Sequence, residues 1–150
     1  MPMEPAPATS GTVKRNDPMC LVRLPDASQT RHPALAVADI GAFAAALIER
    51  REQVFGKRFD LAGDELSGEE QAKILSRAIG RPINYQEIPI AAARQQSEDV
   101  AIMFEWFDRV GADADIAALR RDFSEVRWHS FADWARGFDW SVLERTSSIA

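Results

Sequence analysis

Hydrophobic positions begin to recur with a readable period only from about residue 33 onward. Ala34-Leu35-Ala36-Val37 is a continuous apolar run behind His32-Pro33, the pattern of a strand buried on both faces. Asp39 offers an N-cap, and Ile40, Phe43, Ala44, Leu47 and Ile48 then fall on one helical stripe. Lys57 to Gly63 alternates, Phe59 and Leu61 against Arg58 and Asp60, and reads as a second strand. A helix follows directly: Ser67 with Glu70 fits a capping box, Ala72, Leu75 and Ile79 form its stripe, and Gly80 ahead of Arg81-Pro82 stops it. Ile83 to Glu87 alternates in a third short strand that Pro89 ends, as expected of a sheet edge.

The C-terminal part of the pattern is helical. Residues 90–110 predict one helix, with Val100, Met103, Phe104, Phe107 and Val110 on a stripe that Ile102 and Trp106 widen to about half the circumference. Gly111 breaks it, and Asp113 is a cap for a shorter helix carrying Ile116, Leu119 and Phe123. A last helix starts at Ser130 with Asp133 as its capping partner, and Phe131, Trp134, Ala135 and Phe138 make an aromatic docking face. Strand, helix, strand, helix in this order predicts an α/β fold of a few short strands with four to five helices.

Composition adds the boundaries. Six of the eight prolines lie in the first 33 residues, so residues 1–18 read as a disordered tail, 19–140 as one domain and 141–150 as a frayed end. A chain of 150 residues has room for one core. Eighteen basic against 23 acidic side chains leave a net charge of -5, which lacks the positive field that nucleic-acid binding uses. The longest apolar stretch, Ala34 to Ile48, spans fifteen residues, is interrupted by Asp39 and Gly41, and falls short of the roughly 20 that cross a bilayer. With Cys20 as the single cysteine and neither a basic nor an apolar leader at the start, the cytoplasm is the expected compartment.

An α/β chain invites a search for nucleotide chemistry. No three of the eight glycines stand at GxGxxG or GxxGxxG spacing, the arrangement that lets backbone amides approach a pyrophosphate. The Tyr/Lys pair of short-chain dehydrogenases fails as well, since the only tyrosine, Tyr85, has Pro89 four residues on. His32 and His129, 97 residues apart, belong to no local metal motif and read as structural. Cys20 has no base beside it in sequence. Asp64-Glu65 and Glu69-Glu70 flank a helix N-terminus, where carboxylates suit the macrodipole, and Arg50-Arg51 and Arg120-Arg121 end helices as solvated faces. Met103, Trp106 and Phe107 are the cleft candidates, because a helix apolar on adjoining faces can pack a core with one and line a cleft with the other; core packing alone is the alternative use.

The strings Leu35-Ala36-Val37-Ala38-Asp39-Ile40-Gly41-Ala42-Phe43-Ala44 and Arg58-Phe59-Asp60-Leu61-Ala62-Gly63-Asp64-Glu65-Leu66-Ser67 carry a resemblance. With Leu75 to Ile83, Met103-Phe104-Glu105-Trp106-Phe107 and Phe131-Ala132-Asp133-Trp134 in the same order, the region from about Leu21 to Phe138 is similar to the NmrA-like family of atypical short-chain dehydrogenase/reductases. The resemblance implies the C-terminal part of a Rossmann-type NAD(P)-binding fold: a sheet edge plus a substrate-side lobe. It also implies redox sensors or small-molecule reductases as the lineage. Family members hold NAD(P) in a glycine-rich half that precedes this region, and here a proline-rich tail stands in its place. The expectation is a chain with no catalytic, cofactor-binding or metal residues of its own and no cofactor when alone. Its open sheet edge would be covered by self-association or a protein partner, with no nucleic acid and no membrane involved. The alternative is a non-catalytic interaction module that docks onto a complete homologue or another protein.

Overall fold

The computed structural model describes residues 21–25, 30–111 and 113–142. Among them are four strands of four residues each: β1 Leu21–Leu24, β2 Arg31–Ala34, β3 Asp64–Ser67 and β4 Asn84–Glu87. Seven helices accompany them: α1 Val37–Glu49, α2 Arg51–Val54, α3 Gly68–Ile79, α4 Ile90–Gln96, α5 Glu98–Val110, α6 Ile116–Asp122 and α7 Phe131–Gly137. The α/β class is as expected, with more helices than the sequence pattern resolves. The 90–110 segment is two helices because Ser97 sits in extended backbone and its hydroxyl accepts from Val100 N, restarting the chain as α5. The predicted tail at 1–18, Cys20 and residues 143–150 lie outside the described residues. No helix among those described is long and apolar enough to cross a membrane.

The strands form two separate ribbons. β1 pairs in parallel with β4, Leu21 opposite Asn84 through Leu24 opposite Glu87, and α3 packs on both. β2 pairs antiparallel with β3, Arg31 opposite Ser67 through Ala34 opposite Asp64. The expected strand at Ala34–Val37 is displaced: β2 ends at Ala34, and the apolar run continues through Ala36 straight into α1. A continuous apolar run marks burial without distinguishing a strand end from a helix start. The expected strand at Lys57–Gly63 is also absent. Phe59 and Leu61 do point inward, packing on the main core, but the strap finds no ladder partner until Gly63 N donates to Ala34 O at 2.8 Å and β3 begins. Alternation shows which face is buried, and pairing is a long-range matter it cannot report.

That core is built from Phe43 and Ala46 of α1, Leu119 of α6, and Phe123 and Val126, with Leu47, Val54, Phe59, Leu61 and Trp128 packed around it. Phe43 touches Phe123, Phe59 and Trp128 at ring-centroid distances of 4.7, 5.7 and 5.7 Å, mostly edge to face as the ring quadrupoles favour. The buried line of α1 is therefore Asp39, Phe43 and Ala46; Ile40, Ala44 and Ile48 of the expected stripe are exposed.

Two ends were readable in advance. Ser67 accepts from Glu70 N while the Glu70 carboxylate accepts from Ser67 N, and Gly80 closes α3 at φ 77°. The Ser67 amide and Arg31 hold the Glu70 carboxyl below its ordinary value. Gly68, the first residue of α3, has no room for a side chain. A Cβ there would sit 2.2 Å from Tyr85 Cε2 and 3.1 Å from Leu24 Cδ1. Gly68→Ala is expected to destabilise the fold by about 2 kcal/mol through overpacking between α3 and the β1/β4 ribbon. Urea unfolding checks this, and an unchanged midpoint would contradict the packing described.

Candidate functional site

The Asp39 carboxylate is the most consequential buried group. The sequence suggests it as the N-cap of α1, but that position is Ala36, whose extended backbone starts the helix without a side-chain cap. Asp39 stands within the first turn and is 1% exposed. Its two oxygens turn across the fold to one residue, Oδ2 accepting from His129 N at 2.8 Å and Oδ1 lying 2.6 Å from His129 Nδ1. The carboxylate is an acceptor, so the hydrogen-bond network assigns the ring proton to Nδ1. The imidazole itself is 43% exposed. A buried carboxylate thus aims a half-exposed histidine, the arrangement by which an acid orients an imidazole and selects its tautomer.

Three elements meet at this pair. Gly63, at the entry to β3, lies so close that a Cβ would stand 2.7 Å from His129 O and 3.5 Å from Asp39 Oδ2. Arg120 of α6 donates to Gly63 O at 2.8 Å. Arg50 donates to Asp122 O, pairs with Glu125 at 2.7 Å and lies 5.1 Å from the Phe123 ring centroid. Arg50 and Arg120, which the sequence reads as solvated helix ends, therefore also cross-link elements, Arg120 while remaining exposed. Their carbonyl targets, Asp122 at the end of α6 and Gly63 ahead of β3, are distant in sequence and invisible to helix-end arguments.

After His129 the chain enters α7. Ser130 and Asp133 form the expected capping box, and Asp64 Oδ2 accepts from Phe131 N at 3.0 Å, tying α7 to β3. Hydrogen bonds from Ser130, together with Arg136, bring the Asp133 carboxyl down from 3.8 to about 2. Because the folded value lies below the unfolded one, the box contributes fully above pH 4 and is lost as pH falls from 3.8 toward 2. The Asp133 side-chain carbon resonance is expected to titrate near 2; a midpoint close to 4 would mean that the box is not formed.

Between the β2–α1 connection and α7 lies a hollow of about 340 Å³, walled by Ala34, Leu35, Val37, Phe131 and Trp134, with His129 at its edge. A second hollow of about 260 Å³ adjoins it, sharing Ala36, His129 and Trp134. The rings of Phe131 and Trp134 stand 5.4 Å apart, and Trp134 continues to Phe138 and Trp140.

The other residues singled out from sequence lie elsewhere. Met103 and Trp106 are exposed on α5, while Phe107 is half-buried and meets the His32 ring edge to face at 5.4 Å. None of the three walls the hollow beside His129. His32 is buried against Phe104 and Phe107. Asp64 and Glu70 spend their oxygens on backbone amides and Arg31. The cap of α6 is Asp115, accepting from Ala118 N at 2.9 Å, and not Asp113; two aspartates two residues apart are equivalent to a local reading. No group of three or more metal-ligating side chains occurs among the described residues. Missed entirely was the pairing of Asp39 with His129 across 90 residues. Its one signal was an acid interrupting the longest apolar run.

Comparison with known proteins places this architecture. The chain resembles the solved structure of NmrA, a negative transcriptional regulator, in complex with NAD, at 20% identity and a TM-score of 0.62 over 87% of this chain and 46% of that one. The same regulator in complex with NADP gives a TM-score of 0.60 at 20% identity over 85% and 45%. A nucleoside-diphosphate-sugar epimerase from Staphylococcus aureus gives 0.65 at 20% identity over 79% and 44%. At such identities the likeness is one of fold, and the chain spans less than half the length of these structures. No curated protein matches the sequence. The NmrA-like family model matches residues 4–142, nearly the whole chain, and the protein belongs to the NmrA-like family.

Proposed function

We propose that this chain is the substrate-side, C-terminal part of an NmrA-like protein of the redox-sensor or small-molecule reductase lineage, and that it does not hold NAD(P) by itself. One observation carries the reading: none of the three turns joining a ribbon strand to a following helix offers a seat for a pyrophosphate, and the β4–α4 turn is Ile88-Pro89, again with no glycine. The β2–α1 turn is Leu35-Ala36, with no glycine to admit a phosphate to the backbone. At β3–α3 the chain passes from Ser67 directly to Gly68, whose open face is filled by Tyr85, and Glu69 and Glu70 would meet an incoming anion. Two solved NmrA structures are complexes with NAD or NADP, so the cofactor belongs to the family's longer members by this reading. Met103 and Trp106, exposed on α5 beside Phe107, are the surface it offers to a substrate cleft.

Calorimetric titration of the 150-residue chain with NADPH and NADH tests the proposal. The expected result is no saturable heat at micromolar concentrations; micromolar binding of either nucleotide would overturn it.

A second reading, an interaction module without chemistry, draws on a different observation. Val37 at the start of α1 is 83% exposed and Phe55 after α2 is 91% exposed, and both ribbons have only two strands among the described residues. Apolar surface and open strand edges favour self-association or a protein partner. Sedimentation should then show association that depends on concentration, and a stable monomer at all concentrations would count against it.

A further inference from the structure

We propose that the Asp39–His129 pair and the hollow beside it form a binding site for a small neutral aromatic molecule carrying a hydroxyl, a phenol, whose O–H donates to His129 Nε2. Nδ1 is committed to buried Asp39, which leaves Nε2 as the ring's open position, an acceptor whenever the ring carries a single proton, and it has no hydrogen-bond partner among the described residues. An imidazole oriented this firmly is already arranged to receive one donor, because its tautomer and ring plane are set before a ligand arrives. The wall around it is hydrocarbon and aromatic: Ala34, Leu35 and Val37 on one side, Phe131 and Trp134 on the other. At about 340 Å³ it suits one small ring rather than a dinucleotide.

Charge decides between a hydroxyl and a carboxylate as the ligand's polar group. Asp39 backs the histidine, Asp64 holds Phe131 N and Asp133 borders the adjoining hollow. Two of the cations near them are already committed, Arg136 to Asp133 and Arg120 to Gly63 O. An organic anion would enter against this field, whereas a neutral phenol would not. The amides of Ser130, Phe131 and Asp133 at the start of α7 are likewise occupied, by Asp64 and by the Ser130–Asp133 box.

The test is a titration of the full chain with 4-methylphenol, toluene and benzoate, followed by calorimetry and by NMR of the two imidazole rings. 4-Methylphenol should bind at one site about tenfold more tightly than toluene, the increment of one well-placed hydrogen bond, and more tightly than benzoate. It should move the His129 ring resonances while those of His32, packed on Phe104 and Phe107, stay in place. Trp134→Ala, which also gives up ring contacts with Phe131, Phe138 and Trp140, should weaken binding by roughly tenfold at a temperature where the variant is folded. Equal binding of toluene or benzoate, a stationary His129 ring at saturating 4-methylphenol, or wild-type affinity in Trp134→Ala would each overturn the proposal. No arm involves a nucleotide, so the outcome is independent of the NADPH titration.

Discussion

Replacing Phe43 with alanine is expected to cost about 4 kcal/mol and to lower the melting temperature by on the order of 10 °C. The side chain is 2% exposed and stands where α1, the 57–63 strap and the segment after α6 converge. Its ring meets Phe123, Phe59 and Trp128. Truncation removes the hydrophobic transfer contribution and also leaves a void that three rigid rings cannot close by rotating. Phe43→Leu restores most of the volume without the edge-to-face contacts, and about 1.5 kcal/mol is expected for it. Chemical denaturation of the two variants should show that order. A loss below about 1 kcal/mol for Phe43→Ala would mean that the site collapses freely and that Phe43 is not the centre of the core.

The second large effect concerns Asp39. Asp39→Ala removes the acceptor of two hydrogen bonds and strands the His129 amide beside Gly63, in a place no side chain can enter. With each bond to a charged acceptor contributing about 1.5 kcal/mol, the expected loss is about 3 kcal/mol. Asp39→Asn separates structure from orientation. Its side-chain oxygen can still accept from His129 N, so about half of the loss is expected, but its amide now donates toward Nδ1 and moves the ring proton to Nε2. Imidazole nitrogen shifts distinguish the tautomers directly. Nδ1 protonated in the wild type and Nε2 protonated in Asp39→Asn is the expected pair of results; the same tautomer in both would show that Asp39 does not set it.

These two residues also mark what local sequence conveys and what it does not. Capping boxes at Ser67/Glu70 and Ser130/Asp133 and the Gly80 stop were legible because their partners lie within three or four residues. Family membership was legible because it rests on ordered strings of such local signals. The strand limits were not, since β2 and β3 pair across some thirty intervening residues and the apolar run at 34–37 straddles a strand end and a helix start. Asp39 illustrates the same limit. An acid at the head of an apolar stripe satisfies the local rule for a cap, and only the fold brings His129, 90 residues away, within 2.6 Å to claim it. Ser97 is a different case: Ser-Glu-Asp is an ordinary helix start, masked by the apolar periodicity that runs through it.

None of Met103, Trp106 and Phe107 of α5 lines the hollow at His129. The proposal that the chain does not hold NAD(P) rests on the three strand-to-helix turns, Leu35-Ala36, Ser67-Gly68 and Ile88-Pro89. Amide NMR of the isotope-labelled chain with NADPH added is the most direct measurement. The prediction is that the amides of 35–39, 67–70 and 87–92 keep their positions through millimolar nucleotide; saturable displacement of any of these groups at micromolar NADPH would contradict it.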